Sequence, residues 1–372
     1  MITMRVAIVT ESFLPSVNGV TNSVIQAHKS LVAEGYEVVI IAPTVGDTPS
    51  FYDGSTVVGL PSINLNNSLA VAFPHRLIQQ TLDEFAPDIV HLASPAMMGA
   101  YAQSISNRRR IPTIAVYQTD YVGFSQHYRL GFAAHGINAA VRKIHGNSTL
   151  NLAPSTYAMD ILTNLGIRNV ARWGRGVDLE LFNPERRVDN FFSTSKKVIG
   201  YVGRLAPEKG VDKLVPLSFN SDFQIVIVGD GPERSRLQEL MPNAIFTGKL
   251  SGTELAQHIA NFDCFVHPGE HETFCQSAQE ALASGVPVIA PDRGAVKEFV
   301  IDGENGIVVN MTTSDSLINM SEARWNLLFS SQIKSRARNS VIDRGWDNIN
   351  QELIGHYFDV LANNRYSIRI GA

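Results

Sequence analysis

Only two cysteines, Cys264 and Cys275, occur in the 372 residues. A disulfide framework is therefore excluded, and a reduced, cytoplasmic setting fits. No apolar run approaches the roughly 20 residues of a membrane-spanning helix, which leaves peripheral contact with the inner membrane face open. Positive charge is not in excess either. The net charge is -4, so nucleic acid is not an expected partner. The Gly-x-Gly-x-x-Gly fingerprint of dinucleotide binding is missing, which puts an NAD oxidoreductase last among the readings. Asp-x-Asp is missing too, so no such motif exists to bridge a diphosphate through a divalent ion. Repeats and low-complexity tracts do not occur. The start, Met1 to Arg5, leads straight into a strand pattern and lacks the form of a signal peptide.

What is present is 44% apolar residues, enough for a core in each half of a chain too long for one typical domain. Val6–Thr10, Glu37–Ala42, Val57–Leu60, Asp88–Leu92, Pro112–Tyr117 and Leu150–Ala153 read as strands. Helices are expected from Gly19 to about Glu34, from Pro74 to about Phe85, onward from Ala96, and from Thr156 to Leu165 after a Ser155 cap. The alternation predicts a mostly parallel sheet covered on both faces. A polar run, Arg186 to Lys197, reads as a linker, which places the boundary near 190. A second sheet follows, with strands expected at Val198–Val202, Ile225–Val228, Ala244–Phe246, Phe262–Val266 and Val286–Ala290. The tail from Ser314 to Asn363 reads as helical, with its end packing back on the first domain. The fold class expected is therefore α/β, with two Rossmann-like doubly wound domains facing across a cleft: 1–190, 191–345 and a C-terminal helix in 346–372.

The densest chemistry lies in His267-Pro-Gly-Glu-His-Glu-Thr-Phe-Cys-Gln276, running on to Glu280 and Gly285-Val-Pro-Val288. Glu272 falls in a loop at the carboxyl end of a strand, where open α/β sheets bind ligands, and Glu280 in the following helix. Two carboxylates there could hold hydroxyls or a developing positive charge; solvated acids would read the same. Arg204 and Lys209 share one strand-to-helix connection and could neutralise a diphosphate. Gly229-Asp-Gly-Pro232 closes the next strand. In the first half, Gly19 would let a ligand approach the backbone at a helix start, and Gln118, Thr119 and Asp120 follow the fifth strand. Strand-end capping explains that trio equally well. An aromatic and basic group, with Phe73, Arg76, Phe124, Tyr128, Arg129, Arg142 and Lys143, would suit a lipid-linked or anionic partner. Cys264, His267, His271 and Cys275 raise a zinc reading, but one cysteine lies in a strand and the other enters a helix, so no metal is expected.

Glu272-x7-Glu280, Gly203-Arg204-x4-Lys209-Gly210, Gly229-Asp-Gly-Pro232 and Gly285-Val-Pro-Val288 together resemble the retaining GT-B glycosyltransferases of family 4. The likeness covers nearly the whole chain. It implies a nucleotide-sugar donor with no tightly bound cofactor, and an acceptor hydroxyl. Glu272 would lie near the donor sugar. Glu280 would hold the ribose, Arg204 and Lys209 the diphosphate, and Gly19 would approach the phosphates. The resemblance also puts Gly229, Phe274 and Cys275 on the donor side. Many members have histidine in a Tyr/Phe-His-Thr motif where this chain has Tyr117-Gln118-Thr119-Asp120. That stretch is similar to actinobacterial GDP-mannose-dependent α-mannosyltransferases acting on glycolipids. A UDP-sugar enzyme with a soluble acceptor, an epimerase or phosphorylase on the same fold, and a non-catalytic nucleotide-sugar binder remain as alternatives. Oligomeric state is not legible.

Overall fold

The structure, a computed structural model, describes residues 3–16, 18–66, 69–118, 131–270 and 272–370. Asp120, Phe124, Tyr128, Arg129 and His271 lie outside the described residues. The chain divides into two compact units, 1–175 with 346–372, and 176–345.

In the first unit the strands are β1 (Arg5–Thr10), β2 (Glu37–Pro43), β3 (Phe51–Tyr52), β4 (Ser55–Leu60), β5 (Ser62–Asn66), β6 (Leu69–Ala72), β7 (Ile89–Ala93), β8 (Thr113–Val116), β9 (Leu150–Ala153) and β10 (Val170–Arg172). Eight of them form one sheet in the order β10-β9-β8-β7-β1-β2-β4-β3. All neighbours are parallel except the β3–β4 edge. The central strands are runs of Val, Ile and Ala buried on both faces, as a parallel sheet with helices on either side requires. The helix Gly19–Ala33 starts where the Asn18 side chain accepts from the amides of Val20 and Thr21, both at 3.0 Å. Ser155 caps the helix Thr156–Asn164 in the same way.

The last helix, Trp346–Ile370, belongs to this unit. Trp346, Ile349, Leu353, Ile354, Tyr357 and Val360 recur at helical spacing and share a core with β1, β2 and β7. The Trp173 indole donates to the Ile349 carbonyl at 3.0 Å, and the Tyr357 hydroxyl lies 2.7 Å from His91 Nδ1.

The second unit holds β11 (Lys197–Val202), β12 (Phe223–Val228), β13 (Ile245–Gly248), β14 (Cys264–Val266), β15 (Val288–Pro291) and β16 (Gly306–Val309). They form one parallel sheet in the order β13-β12-β11-β14-β15-β16. Numbered within the unit, that is 3-2-1-4-5-6, the doubly wound order with a switch point between its first and fourth strands.

Two expectations change. Residues 176–190 belong to the second unit: Val177 bridges Gly345, and Arg338 donates to the carbonyls of Leu179, Phe182 and Ala283. The polar run is thus tethered to one unit, and the chain passes between units at 175/176. The tail is three helices, Glu322–Leu328, Ser331–Asn339 and Trp346–Ile370, interrupted at Gly345 by the strand bridge to Val177. The segment 62–72 is an antiparallel ribbon of β5 and β6, which the polar Asn64 and Asn66 conceal in the sequence.

Candidate active site

In the second unit the switch point lies between β11 and β14, so the loops leaving those two strands are neighbours. The β11 loop carries Arg204 and Lys209, and the β14 loop carries Glu270 and Glu272. Two ion pairs staple the loops together. Lys209 Nζ lies 2.5 Å from Glu272 Oε1, and Lys213 Nζ lies 3.2 Å from Glu270 Oε1 and 3.3 Å from the Pro268 carbonyl. Lys209 and Lys213 sit on successive short 3-10 turns, Pro207–Lys209 and Val211–Leu214, four residues apart, which presents both to the same loop. Burial alone would lower the Lys209 pKa, but the Glu272 carboxylate outweighs it and the ammonium is held more firmly than usual. The amide of Ala295 donates to the Glu272 carbonyl at 3.4 Å, fixing the backbone under that carboxylate.

The Gly-Asp-Gly-Pro motif positions Arg204. Gly229 lies at φ +140, and a Cβ there would come within 1.9 Å of the Gly203 carbonyl oxygen. A Cβ on Gly231 would meet the Leu205 carbonyl oxygen at 2.2 Å. Only glycine lets the β12 loop lie this close to residues 203–205. The Leu205 amide then donates to the Asp230 carbonyl at 2.9 Å, and Glu233 donates back to Leu205 at 3.0 Å. The Tyr201 hydroxyl donates to the Arg204 carbonyl at 3.1 Å. The loop backbone is thus clamped while the Arg204 side chain stays exposed. Gly229 has a packing reason to be glycine before any ligand is considered.

Phe274 and Cys275 offer their backbone rather than their side chains. The Phe274 ring is buried and stacked on Phe299 at 5.1 Å. The Cys275 thiol is buried, and burial pushes its pKa up to about 12, so it is unreactive. Among the described residues the amides of Phe274 and Cys275 donate to no partner. They stand at the start of the helix Gln276–Ala283, where partial positive charge favours anions. Glu280 lies within that helix. Burial, with the nearby Asp178 carboxylate, raises its pKa to about 8 against the Gln276 hydrogen bond.

The structure therefore brings Lys209 and Glu272 into contact and adds His267, whose Nε2 lies 3.6 Å from Glu272 Oε1. Sequence reading weighed His267 only as a metal ligand; its place at the carboxyl end of β14 was the signal available. Among the described residues no cluster of three or more His, Cys, Asp or Glu side chains could hold a metal ion.

The first unit carries Gly19 and Gln118. Gly19 is exposed, with nothing within 4 Å of an added Cβ. The Gln118 Oε1 accepts from the guanidinium of Arg175, which also donates to Ser23 Oγ. Arg175 is buried and lies over the Trp173 ring at 5.5 Å. Burial lowers its pKa to about 10, which leaves it charged at neutral pH. Sequence reading passed over this arginine, since it is 57 residues from Gln118.

Two family models match in tandem: "Glycosyltransferase Family 4" over residues 17–181 and "Glycosyl transferases group 1" over 182–324. A GDP-mannose-dependent alpha-mannosyltransferase of Corynebacterium glutamicum is 44% identical over 371 residues, covering 96% of this chain and 90% of that protein. The chain belongs to glycosyltransferase family 4. A protein of the same name from Mycolicibacterium smegmatis is 43% identical, with 98% of this chain and 100% of that one covered. Among solved structures, sucrose-phosphate synthase from Thermosynechococcus elongatus superposes with a TM-score of 0.78 at 18% identity, covering 97% of this chain and 100% of that one. That likeness concerns the fold, the GT-B arrangement of two Rossmann-like domains. Family 4 membership makes this chain a hexosyltransferase, a transferring enzyme rather than a passive binder. Among the described residues no helix is long and apolar enough to cross a membrane.

Proposed function

We propose that this family 4 enzyme takes mannose from GDP-mannose and places it, with retained anomeric configuration, on a hydroxyl of a lipid-linked or glycolipid acceptor. The observation that carries the reading is 44% identity, over 96% of this chain, to a relative named for that donor. The geometry supports it. Breaking the anomeric bond builds negative charge on the diphosphate and positive charge on the sugar ring. Arg204, Lys209 and the Phe274–Cys275 amides answer the first, acting as preorganised donors. Glu272, beside Lys209, answers the second. Glu280 accepts from the ribose hydroxyls, and Gly19 contributes an open helix start to the phosphates.

The bond between C1 and the diphosphate oxygen breaks as the acceptor oxygen bonds C1 on the same face. The acceptor proton passes to the departing phosphate, so no protein nucleophile is needed. Gln118 and Asp120 are assigned to the acceptor side, where an amide both donates and accepts. Ile63 and Phe73 are 57% and 49% exposed on the first unit, and Arg76, three residues after Phe73, is exposed too. Exposed apolar side chains and a basic residue fit an acyl-bearing acceptor.

The test is a donor screen read by mass spectrometry, with GDP-mannose, UDP-glucose and UDP-GlcNAc each offered with a crude lipid extract. A hexose-sized mass gain on a lipid that depends on GDP-mannose is expected. Turnover of a UDP-sugar instead would overturn the donor, and a gain only on water-soluble products would overturn the acceptor.

A further inference from the structure

Two ion pairs join the β11 loop to the β14 loop, and only one of them enters the transfer derived above. Lys209 and Glu272 are both assigned to the donor. Lys213 and Glu270 have no part in it, yet their side chains are as enclosed, at 23% and 19% exposed.

Both ends of this second contact are mounted on the core. Lys213 sits on the turn Val211–Leu214, whose Val211 and Leu214 are buried in one cluster with Cys264 and Val266 of β14. On the other side Val266 closes β14, and the His267 amide donates to the Ile289 carbonyl at 2.9 Å. From 268 to 275 the described residues form neither helix nor strand. The path to Glu272 is therefore set by packing and side chains rather than by a ladder. A Cβ on Gly294, at φ +77, would come within 2.4 Å of the Glu270 carbonyl oxygen, so the loop after β15 lies against the Glu270 backbone. A Cβ on Gly269 would stand 3.3 Å from the Lys209 carbonyl oxygen, so the β11 loop lies against the Gly269 backbone. One ammonium completes the hold. Lys213 Nζ donates to the Pro268 carbonyl at 3.3 Å and to Glu270 Oε1 at 3.2 Å, gripping backbone and side chain two residues apart.

We propose that Lys213 and Glu270 are a positioning pair: they keep the β14 loop docked on the β11 loop while Lys209 turns from Glu272 to the donor diphosphate. Glu272 and the amides of Phe274 and Cys275 then stay in place for the sugar and the phosphates. The inference rests on the donor reading for the event that redirects Lys209. One pair changes partner, and its neighbour four residues along the β11 loop does not. A displacement of about 1 Å in groups facing a transition state costs up to roughly 100-fold, so even a modest tether matters to the rate.

Hydrogen exchange of the peptide 265–276, followed by mass spectrometry on the full chain without nucleotide, reads the docking itself. Lys209→Ala imitates the departure of Lys209. It raises exchange by about twofold or less, because Lys213 still holds the loop, and Lys209→Ala with Lys213→Met raises it roughly tenfold. A loop as open in Lys209→Ala as in the double variant would overturn the proposal. In steady-state transfer, Lys213→Met lowers kcat roughly three- to tenfold, and the donor KM stays within about twofold of wild type. Glu270→Gln costs less, since the Pro268 carbonyl keeps its donor, and adding it to Lys213→Met lowers kcat no further. Lys213→Arg keeps most of the rate. A Lys213→Met loss carried by the donor KM, with Glu270→Gln without effect, would make Lys213 a ligand of the diphosphate instead. Full activity in a folded Lys213→Met would leave the pair a matter of stability alone. Either result overturns the proposal. Failure of every donor to turn over, with the exchange pattern as expected, would count against the donor reading and not against the docking.

Discussion

The two units share a strand order and treat their polar groups differently. In each, the first and fourth strands of the 3-2-1-4 pattern are neighbours, β1 with β7 and β11 with β14. The loops leaving those strands are where open sheets bind ligands. In the first unit the acid after β1, Glu11, accepts from the amides of Ala96 and Gly99 at 2.8 and 3.0 Å, at the start of the helix Met97–Arg108. It neutralises a helix terminus of its own chain. Arg175 is likewise turned inward, to Ser23 and Gln118. In the second unit the comparable charges meet each other, and Lys209 and Glu272 keep 21% and 20% of their side chains exposed. Topology places the loops in both units. The difference is whether a charge is satisfied by groups fixed in the interior or by a partly exposed side chain that a ligand can compete for.

The largest effect expected from breaking that contrast is at Lys209. On the proposed donor reading, Lys209→Ala removes a donor aimed at developing phosphate charge, and transfer should fall by roughly 10² to 10³-fold. Thermal unfolding shifts little, because a partly exposed ion pair contributes about 1 kcal/mol or less. Wild-type turnover of the activated sugar by a folded variant would detach the pair from the chemistry.

Much of this was legible in the residues. The runs Val6–Thr10 and Lys197–Val202 announce buried parallel strands because both faces must be apolar. Glu272 and Lys209 were legible as strand-end loop residues because each follows a strand. The pairing between them was not, since a contact across 63 residues leaves no local pattern. Arg175 was hidden for the same reason. Gly229 reads as a donor-side glycine, and its close approach to Gly203, like that of Gly231 to Leu205, gives a reason that only three dimensions reveal. The passage between units was concealed by composition: 186–197 looks like a linker, yet Arg187 pairs with Asp263 at 2.9 Å and ties the run to the second unit.

Glu280 sharpens the comparison through pH. Its folded pKa is raised from 4.5 to about 8 by burial and Asp178. A raised carboxyl stabilises the folded protein below its unfolded pKa, and that contribution is lost as pH rises through about 8. On the proposed donor reading, ribose hydroxyls donating to the carboxylate would favour the ionised form, so binding would release a proton. GDP affinity, measured by calorimetry, should rise about tenfold between pH 7 and pH 9. Glu280→Gln should flatten that slope. Glu11 in the first unit is also raised by burial, but backbone amides already satisfy it, and Glu11→Gln should leave the slope unchanged. A slope that survives Glu280→Gln would move the titration elsewhere.

The smallest effect, and the one that tests whether the first unit takes part in donor binding, is at Gly19. Unlike Gly229, its added Cβ meets nothing within 4 Å, and its backbone is not in the left-handed region. Gly19→Ala should therefore leave unfolding within about 0.5 kcal/mol of wild type. If a donor phosphate approaches the amides at the start of the helix Gly19–Ala33, as proposed, a methyl group there crowds it and the donor KM should rise several-fold, about 1 kcal/mol. The intrachain structure gives no other reason for glycine at this position. An unchanged KM in a variant of unchanged stability would confine the donor site to the second unit, and would leave the fixed polar groups of the first to serve the acceptor and the fold.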